Sequence, residues 1–220
     1  MHALFDLDGT LTDPQEGIVA CIRHALRALS VEAPPEEDLV QWIGPPLQSS
    51  FRTLLGDQRL AEQALRLYRE RFATVGMFEN TVYPGIQVAL GTLRDLKVNL
   101  LVATSKPEFF ATRILEHFEL ARHFSGIYGS ELSGARSDKA ELLAHILAER
   151  TLVAHDTVMI GDRSHDVLAA RRNSVASIGV LWGFGTRKEL TDARADALVW
   201  TTEELVATVR GRLDAEQQAG

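Results

Sequence analysis

The stretch Ala3-Leu4-Phe5-Asp6-Leu7-Asp8-Gly9-Thr10 begins with a short apolar run and ends in two carboxylates, a glycine and a hydroxyl. A continuous apolar run without polar alternation is typical of a strand that is buried on both faces, as in a parallel sheet. Asp6 and Asp8 are two residues apart, so strand geometry points both carboxylates to the same side. Because like charges this close repel, the pair indicates a cation between or beside the two carboxylates.

Further short apolar runs follow along the chain, and helical patterns separate them. The predicted strands cover residues 99–103, 126–129, 157–160, 177–181 and 197–199. Between them, segments such as 86–96 carry apolar residues at helical spacing. This alternation of strand and helix predicts an α/β fold with a Rossmann-like, doubly wound parallel sheet.

The interval between the first two predicted strands is much longer than one crossover connection needs. Helical patterns fill it, and turn residues lie at its two ends, in Asp13-Pro14 and in Val82-Tyr83-Pro84-Gly85. We therefore predict an α/β core formed by residues 1–13 and 81–220, and an inserted α-helical cap formed by residues 14–80. An insert at the carboxyl end of a strand, where open α/β sheets bind ligands, is expected to act as a lid. A subdomain without a role is the alternative.

The composition argues against several classes of protein. With 23 basic and 30 acidic residues the net charge is −7, which disfavours binding of a nucleic-acid polymer by phosphate neutralisation. Cys21 is the sole cysteine, so an intrachain disulfide and a cysteine zinc cluster are excluded. Because neither a signal peptide nor a membrane-spanning run is recognisable, we expect a cytoplasmic protein without a membrane partner.

Polar groups also follow other predicted strands. Thr104-Ser105-Lys106 ends the second one and offers two hydroxyls that suit phosphoryl oxygens, although Ser105 could simply cap a helix. Asp162 and Asp166 lie four residues apart where a loop enters a helix, so both carboxylates could face one ion. Lys139 begins a helix, where the macrodipole disfavours a cation unless an anion lies nearby.

Taken in chain order, these elements resemble the four motifs of the haloacid dehalogenase superfamily. The matching residues are Asp6-x-Asp8-Gly9-Thr10, Thr104, Lys139 and Gly161-Asp162-x-x-x-Asp166. The resemblance spans the whole chain, and the insert resembles the small α-helical cap of that superfamily. Segments such as Ile43-Gly44-Pro45-Pro46-Leu47 are similar to the branch that contains phosphoglycolate phosphatases and 5′-nucleotidases.

This resemblance implies a Mg²⁺-dependent phosphatase of small phosphate monoesters, with phosphoglycolate or a nucleoside 5′-monophosphate as substrate. It implies that Asp6 is a nucleophile that forms an aspartyl-phosphate, and that Asp8 is the general acid and base. The implied Mg²⁺ ligands are the carboxylates of Asp6 and Asp162 and the backbone carbonyl of Asp8, with Asp166 bound directly or through a water molecule. The implied phosphate-binding residues are Thr104, Ser105 and Lys139.

Some residue assignments stay open. Lys106 competes with Lys139 for the motif lysine, because the segment before Lys139 lacks the Lys-Pro-x-Pro surroundings common in relatives. We prefer Lys139, since it follows the third predicted strand. The candidate substrate or cap contacts are Trp42, Gly44, Arg52 and Lys106. Core packing is the alternative for Trp42, and solvent exposure is the alternative for Arg52.

Two further features are expected to be secondary. The run Gly183-Phe184-Gly185-Thr186 lacks the spacing of a dinucleotide-binding fingerprint and predicts a loop near the mouth of the site. The histidines lack metal-ligand spacing and are expected to be packed or solvated.

Other functions remain possible. A phosphomutase of the β-phosphoglucomutase type would use the same pair of aspartates. A dehalogenase is disfavoured, because dehalogenases do not carry a second acid at the Asp8 position. A receiver-like phospho-aspartate module or a non-catalytic protein is a more remote alternative. A small phosphate ester is the expected partner, and the chain is expected to be a monomer or homodimer.

Overall fold

The computed structural model describes residues 1–132 and 136–219 of the chain. It divides into two compact units. The first comprises Met1–Leu11 and Val82–Gly220, and the second comprises Thr12–Thr81. The predicted segment before Lys139 includes Gly134 and Ala135, which lie outside the described residues.

Strands and helices are numbered along the chain. The strands are β1 (His2–Phe5), β2 (Thr12–Asp13), β3 (Thr81–Val82), β4 (Asn99–Pro107), β5 (Gly126–Ser130), β6 (Thr157–Gly161), β7 (Ala176–Val180) and β8 (Ala197–Val199). The helices are α1 (Gln15–Ala28), α2 (Glu36–Val40), α3 (Leu47–Leu55), α4 (Gln58–Arg71), α5 (Ile86–Asp95), α6 (Glu108–His117), α7 (Lys139–Glu149), α8 (Ser164–Arg172), α9 (Arg187–Asp192) and α10 (Thr202–Ala219).

The first unit is built on a six-stranded sheet in the order β5-β4-β1-β6-β7-β8. Every neighbouring pair of strands in it is parallel, and helices connect the successive strands. Strand β1 lies in the middle, where Phe5 pairs with Val102 of β4 and with Ile160 of β6. The predicted α/β fold with a doubly wound parallel sheet is therefore confirmed, and each predicted apolar run forms a strand.

Apolar side chains on both faces of the sheet explain why its strands lack polar alternation. Leu4 is buried in a cluster with Leu142 and Leu143 of α7. Since side chains alternate along a strand, Phe5 points to the opposite face, where its ring contacts Phe124 edge to face at 6.1 Å. The outcome is a central strand with three buried apolar residues, Ala3, Leu4 and Phe5, followed directly by Asp6 at its carboxyl end.

The second unit is helical, with α1 packed against α4 and α3 against α4. Its core includes Phe51, and the Trp42 ring meets Phe51 edge to face at 5.4 Å between ring centroids. Gly44, two residues after Trp42, has a φ of 105°, and Arg52 is exposed on α3. That this unit is a cap, and that these residues contact substrate, stay predictions.

Within the residues that the structure describes, no helix is both long and apolar enough to cross a membrane.

A glycine in α1 sets how closely that helix packs within the second unit. A Cβ atom at Gly17 would lie 2.0 Å from the carbonyl oxygen of Gly76, in the π-helical turn Phe72–Gly76. We therefore expect Gly17→Ala to lower the free energy of unfolding by about 1–3 kcal/mol, as overpacking does. Urea unfolding followed by circular dichroism measures the change.

The matched control is Gly91→Ala in α5, where a Cβ atom meets nothing within 4 Å. This substitution should be neutral or stabilising by up to about 1 kcal/mol, since alanine favours the helix. An equal change in the free energy of unfolding for Gly17→Ala and Gly91→Ala would contradict the inference that Gly17 is closely packed.

Candidate active site

The site begins where β1 ends in the middle of the sheet. The backbone N–H of Asp6 donates to the carbonyl oxygen of Ile160 at 2.9 Å, which continues the pairing of β1 with β6 for one more residue. The Asp6 side chain is buried, and its Oδ1 accepts a hydrogen bond from the backbone N–H of Leu7 at 2.8 Å. The fold thus presents one carboxylate at the edge where parallel sheets bind ligands.

Lys139 bridges two carboxylates that come from different parts of the chain. Its Nζ lies 2.7 Å from Oδ2 of Asp6, and it also donates to Oδ1 of Asp166. Lys139 is the first residue of α7, and Asp138 caps that helix by accepting from the N–H groups of Ala140 and Glu141 at 2.8 and 3.1 Å. The unfavourable position of a lysine at a helix N-terminus is therefore offset by the two carboxylates it holds.

The charged groups in this cluster shift one another's pKa values. Burial lowers the pKa of the Lys139 ammonium, but the negative charges of Asp166 and Asp6 outweigh burial, and its pKa is raised. For Asp6, burial raises the pKa more than Lys139 lowers it. For Asp166, burial also raises the pKa, but Lys139, His165 and the Arg163 backbone N–H together outweigh burial, and the pKa is lowered. Lys139 is therefore a permanent cation beside the predicted nucleophile.

Lys106 contacts a different aspartate. Its Nζ lies 2.8 Å from Oδ2 of Asp8, and its backbone N–H donates to Oγ1 of Thr104 at 3.2 Å. Lys106 and Lys139, the two candidates for the motif lysine, thus both contact carboxylates of the site, Lys106 at Asp8 and Lys139 at Asp6. Thr104 is buried, whereas Ser105 is half-buried and its carbonyl oxygen accepts from the Ser130 hydroxyl at 2.9 Å.

The loop between β6 and α8 supplies two more buried carboxylates. A Cβ atom at Gly161 would lie 2.2 Å from Cγ of Asp166, so only glycine allows that approach. Oδ2 of Asp166 accepts from the backbone N–H of Arg163 at 3.0 Å. Asp162 is fully buried, and its Oδ2 accepts from the backbone N–H of Phe184 at 2.8 Å. Burial, together with Asp166 and Asp6, raises the pKa of Asp162 well above its usual range.

The donor set and the charge balance both fit a divalent cation. Four buried carboxylates and the two ammonium groups that contact them leave two negative charges. Within the part of the chain that the structure describes, Oδ1 of Asp8 and Oδ1 of Asp162 are buried without a hydrogen-bond partner. Buried polar atoms are rarely left unpaired, and carboxylate oxygens are the ligands that Mg²⁺ prefers.

One histidine belongs to this cluster although sequence reasoning expected packed or solvated histidines. A ring nitrogen of His165 and carboxylate oxygens of Asp6 and Asp166 lie within 4.8 Å of one another. Its Nε2 is buried without a hydrogen-bond partner among the described residues. Burial lowers the pKa of His165 more than Asp166 raises it, which favours the neutral imidazole. In the sequence, the only indication that His165 lies at the site is that it directly precedes the motif residue Asp166.

Comparison with known proteins agrees with this arrangement. The model of the family described as haloacid dehalogenase-like hydrolase matches residues 3–180, which include all four predicted motifs. This chain belongs to that family. The family recognised from Asp6, Thr104, Lys139 and Asp162 is therefore confirmed.

Several individual proteins are similar to this chain over most of its length. A protein of Pseudomonas aeruginosa named 5′-nucleotidase is 50% identical over 86% of each chain. A protein of Mycobacterium tuberculosis named tyrosine-protein kinase PtkA is 40% identical over 89% of this chain and 67% of its own. The crystal structure of a protein from Clostridium acetobutylicum, described as a predicted phosphatase, superposes with a TM-score of 0.91 and 41% identity, over 96% of this chain and 98% of the other.

The raised pKa of Asp162 makes a prediction about stability without metal. The unfolded carboxyl ionises near pH 4, whereas the buried one resists ionisation, so charge on Asp162 destabilises the folded state as the pH rises. We expect Asp162→Asn to raise the free energy of unfolding of the metal-free protein at pH 8. The gain should shrink towards pH 4, as measured by urea unfolding in a chelator.

With added Mg²⁺, the unmodified chain should have a higher free energy of unfolding than Asp162→Asn. A ligand at 100 times its Kd stabilises by about 2.7 kcal/mol, and we expect this gain for the unmodified chain and a much smaller one for Asp162→Asn. Equal Mg²⁺ stabilisation of both proteins would show that Asp162 is not a ligand.

Proposed function

We propose that this protein is a Mg²⁺-dependent phosphatase that hydrolyses small phosphate monoesters through an aspartyl-phosphate on Asp6. One observation carries the proposal: Asp6 and Asp8, only two residues apart, have separate cationic partners. Lys139 holds Asp6 at 2.7 Å and Lys106 holds Asp8 at 2.8 Å. Two neighbouring carboxylates in different surroundings suit two different chemical roles.

In the first half-reaction, a carboxylate oxygen of Asp6 attacks the phosphorus atom. A bond forms between that oxygen and phosphorus, and the bond from phosphorus to the ester oxygen breaks. Asp8 is a carboxylate paired with Lys106 before substrate binds, and the phosphate anion beside it favours uptake of a proton. The protonated Asp8 gives that proton to the departing oxygen, which leaves as an alcohol. The Leu7 N–H and Lys139 already orient the Asp6 carboxylate, so little reorganisation precedes the attack.

In the second half-reaction, water attacks the phosphorus of the aspartyl-phosphate. Asp8, now a carboxylate, takes the proton from that water while the bond between Asp6 and phosphorus breaks. Inorganic phosphate leaves, Asp6 is regenerated, and Asp8 is again protonated. The sum is one ester and one water converted to one alcohol and one phosphate.

Positive charge around the phosphoryl group is the main electrostatic requirement of this reaction. Lys139 supplies a permanent charge, and the Thr104 hydroxyl is proposed to donate to a phosphoryl oxygen. The groups proposed to hold Mg²⁺ are the carboxylates of Asp6, Asp162 and Asp166 and the backbone carbonyl of Asp8. When bound, Mg²⁺ polarises the phosphoryl group.

Nucleoside 5′-monophosphates are the first substrate class to test and phosphoglycolate is the second. The 50% identity to a relative named 5′-nucleotidase supports this order. A release assay for inorganic phosphate over a panel of metabolites, with and without Mg²⁺, tests the function. An isomerised sugar phosphate as product would instead show a phosphomutase. Transfer from ATP to a tyrosine peptide is a separate arm, because another relative is named a tyrosine kinase.

The nucleophile assignment predicts the effect of a single substitution. Asp6→Asn removes the oxygen that attacks phosphorus and should lower phosphate release at least about 1,000-fold. Rapid acid quenching of the unmodified protein with ³²P-labelled substrate should trap a phosphoenzyme that hydroxylamine cleaves, and the variant should trap none.

The control is Asp95→Asn, at an exposed residue at the end of α5. It should keep phosphate release within about twofold, since surface substitutions have small effects. Phosphate release and phosphoenzyme retained by Asp6→Asn would refute the proposed mechanism.

A further inference from the structure

A segment that follows β7 packs directly on the predicted motifs. Its residues are Trp182-Gly183-Phe184-Gly185, which we call the 182–185 segment. Trp182 donates through its Nε1–H to the carbonyl oxygen of Thr10 at 3.1 Å. Because Thr10 ends the first motif, this hydrogen bond ties the segment to the loop that carries Asp6 and Asp8.

Two glycines bring the backbone of the segment against Asp162. A Cβ atom at Gly183 would lie 2.2 Å from the carbonyl oxygen of Gly9 and 2.5 Å from Cβ of Asp162. A Cβ atom at Gly185 would lie 1.7 Å from the carbonyl oxygen of Asp162. Neither glycine has a positive φ, so contact alone opposes a side chain at these positions.

The close approach allows one specific hydrogen bond. The backbone N–H of Phe184, between the two glycines, donates to Oδ2 of Asp162 at 2.8 Å. The other oxygen, Oδ1, is buried without a partner among the described residues. The two oxygens of this carboxylate are therefore in different situations, one engaged by the backbone and one available.

We propose that the 182–185 segment makes Asp162 a one-oxygen ligand and thereby selects Mg²⁺ over Ca²⁺. This inference rests on the proposed function, which includes the cation. Mg²⁺ requires near-ideal octahedral coordination, whereas Ca²⁺ accepts more ligands and often takes both oxygens of a carboxylate. A carboxylate whose Oδ2 is held by the Phe184 N–H gives one oxygen readily and the second only by losing that bond.

The segment acts through Asp162 and is a positioning element. A second support fixes the loop from its other side. Oε1 of Glu189 accepts from the backbone N–H of Ser164 at 2.8 Å and from Nε of Arg163 at 3.0 Å. The residues after Asp162 are thus held from α9, while the 182–185 segment holds Asp162 itself.

Cation affinity of the full chain, measured without substrate, tests the proposal. Free Mn²⁺ is detected by electron paramagnetic resonance, and Mg²⁺ and Ca²⁺ are added as competitors. We expect Gly185→Ala and Phe184→Pro to lower affinity for Mn²⁺ and Mg²⁺ about 10- to 100-fold, as loss of outer-sphere support typically does. Affinity for Ca²⁺ should fall less, so that the preference for Mg²⁺ over Ca²⁺ narrows.

Trp182→Phe is the milder variant and keeps the test valid where the others fail to fold. It removes only the hydrogen bond to Thr10. The preference for Mg²⁺ over Ca²⁺ should also narrow in this variant, but by a smaller factor. Gly91→Ala controls for the glycine substitution, since nothing lies within 4 Å of its Cβ position. Circular dichroism and urea unfolding establish that each variant is folded.

The outcomes separate this proposal from the function on which it rests. Folded segment variants that bind Mg²⁺ and Ca²⁺ with unchanged affinities would overturn the positioning role and leave the phosphatase proposal intact. An unmodified chain that binds no divalent cation would overturn both. Weaker Mg²⁺ binding with a narrowed preference over Ca²⁺ in the variants alone would establish the role.

Discussion

The ammonium of Lys139, buried between Asp6 and Asp166, is the interaction on which this site depends. Removing a charge from water costs several kcal/mol, and the cost is offset only when opposite charges and hydrogen bonds surround it. The two carboxylates meet that condition from the residue after β1 and from α8, while Lys139 itself comes from α7. Three separate stretches of chain must therefore end at one point of the sheet, which the parallel order of the central strands provides.

Even with the Lys139 ammonium, the site has more negative than positive charge. Lys139 and Lys106 neutralise two of the four buried carboxylates, and their salt bridges among the described residues are with Asp6, Asp166 and Asp8 rather than with Asp162. Its raised pKa reports this imbalance, with burial as the largest cause. The net charge of −7 is thus compatible with an anionic substrate, because a divalent cation beside Lys139 would reverse the local sign.

The sequence was sufficient to predict the sheet and the strand ends, because both follow from local patterns. Apolar runs locate buried strands, and the polar residues after them, such as Asp6 and Thr104, gather at one edge in a parallel sheet. The pairing of Lys106 with Asp8 depends on side-chain rotamers that no spacing specifies. The contact of Gly185 with Asp162 depends on how closely two loops approach, and a glycine by itself does not say which backbone lies against it.

The geometry also explains why the substrate is harder to infer than the reaction. The described partners of Asp6, Asp8, Lys139 and Asp162 are charged side chains of the same site, Lys106 and Asp166 among them, and nearby backbone groups. In the proposed mechanism these residues act on the phosphoryl group, the water and the departing oxygen, which every phosphate monoester shares. A nucleotidase and a phosphoglycolate phosphatase could therefore use the same constellation without change. What distinguishes them must lie in residues that contact the rest of the ester, and those residues are free to vary while the phosphoryl site is kept.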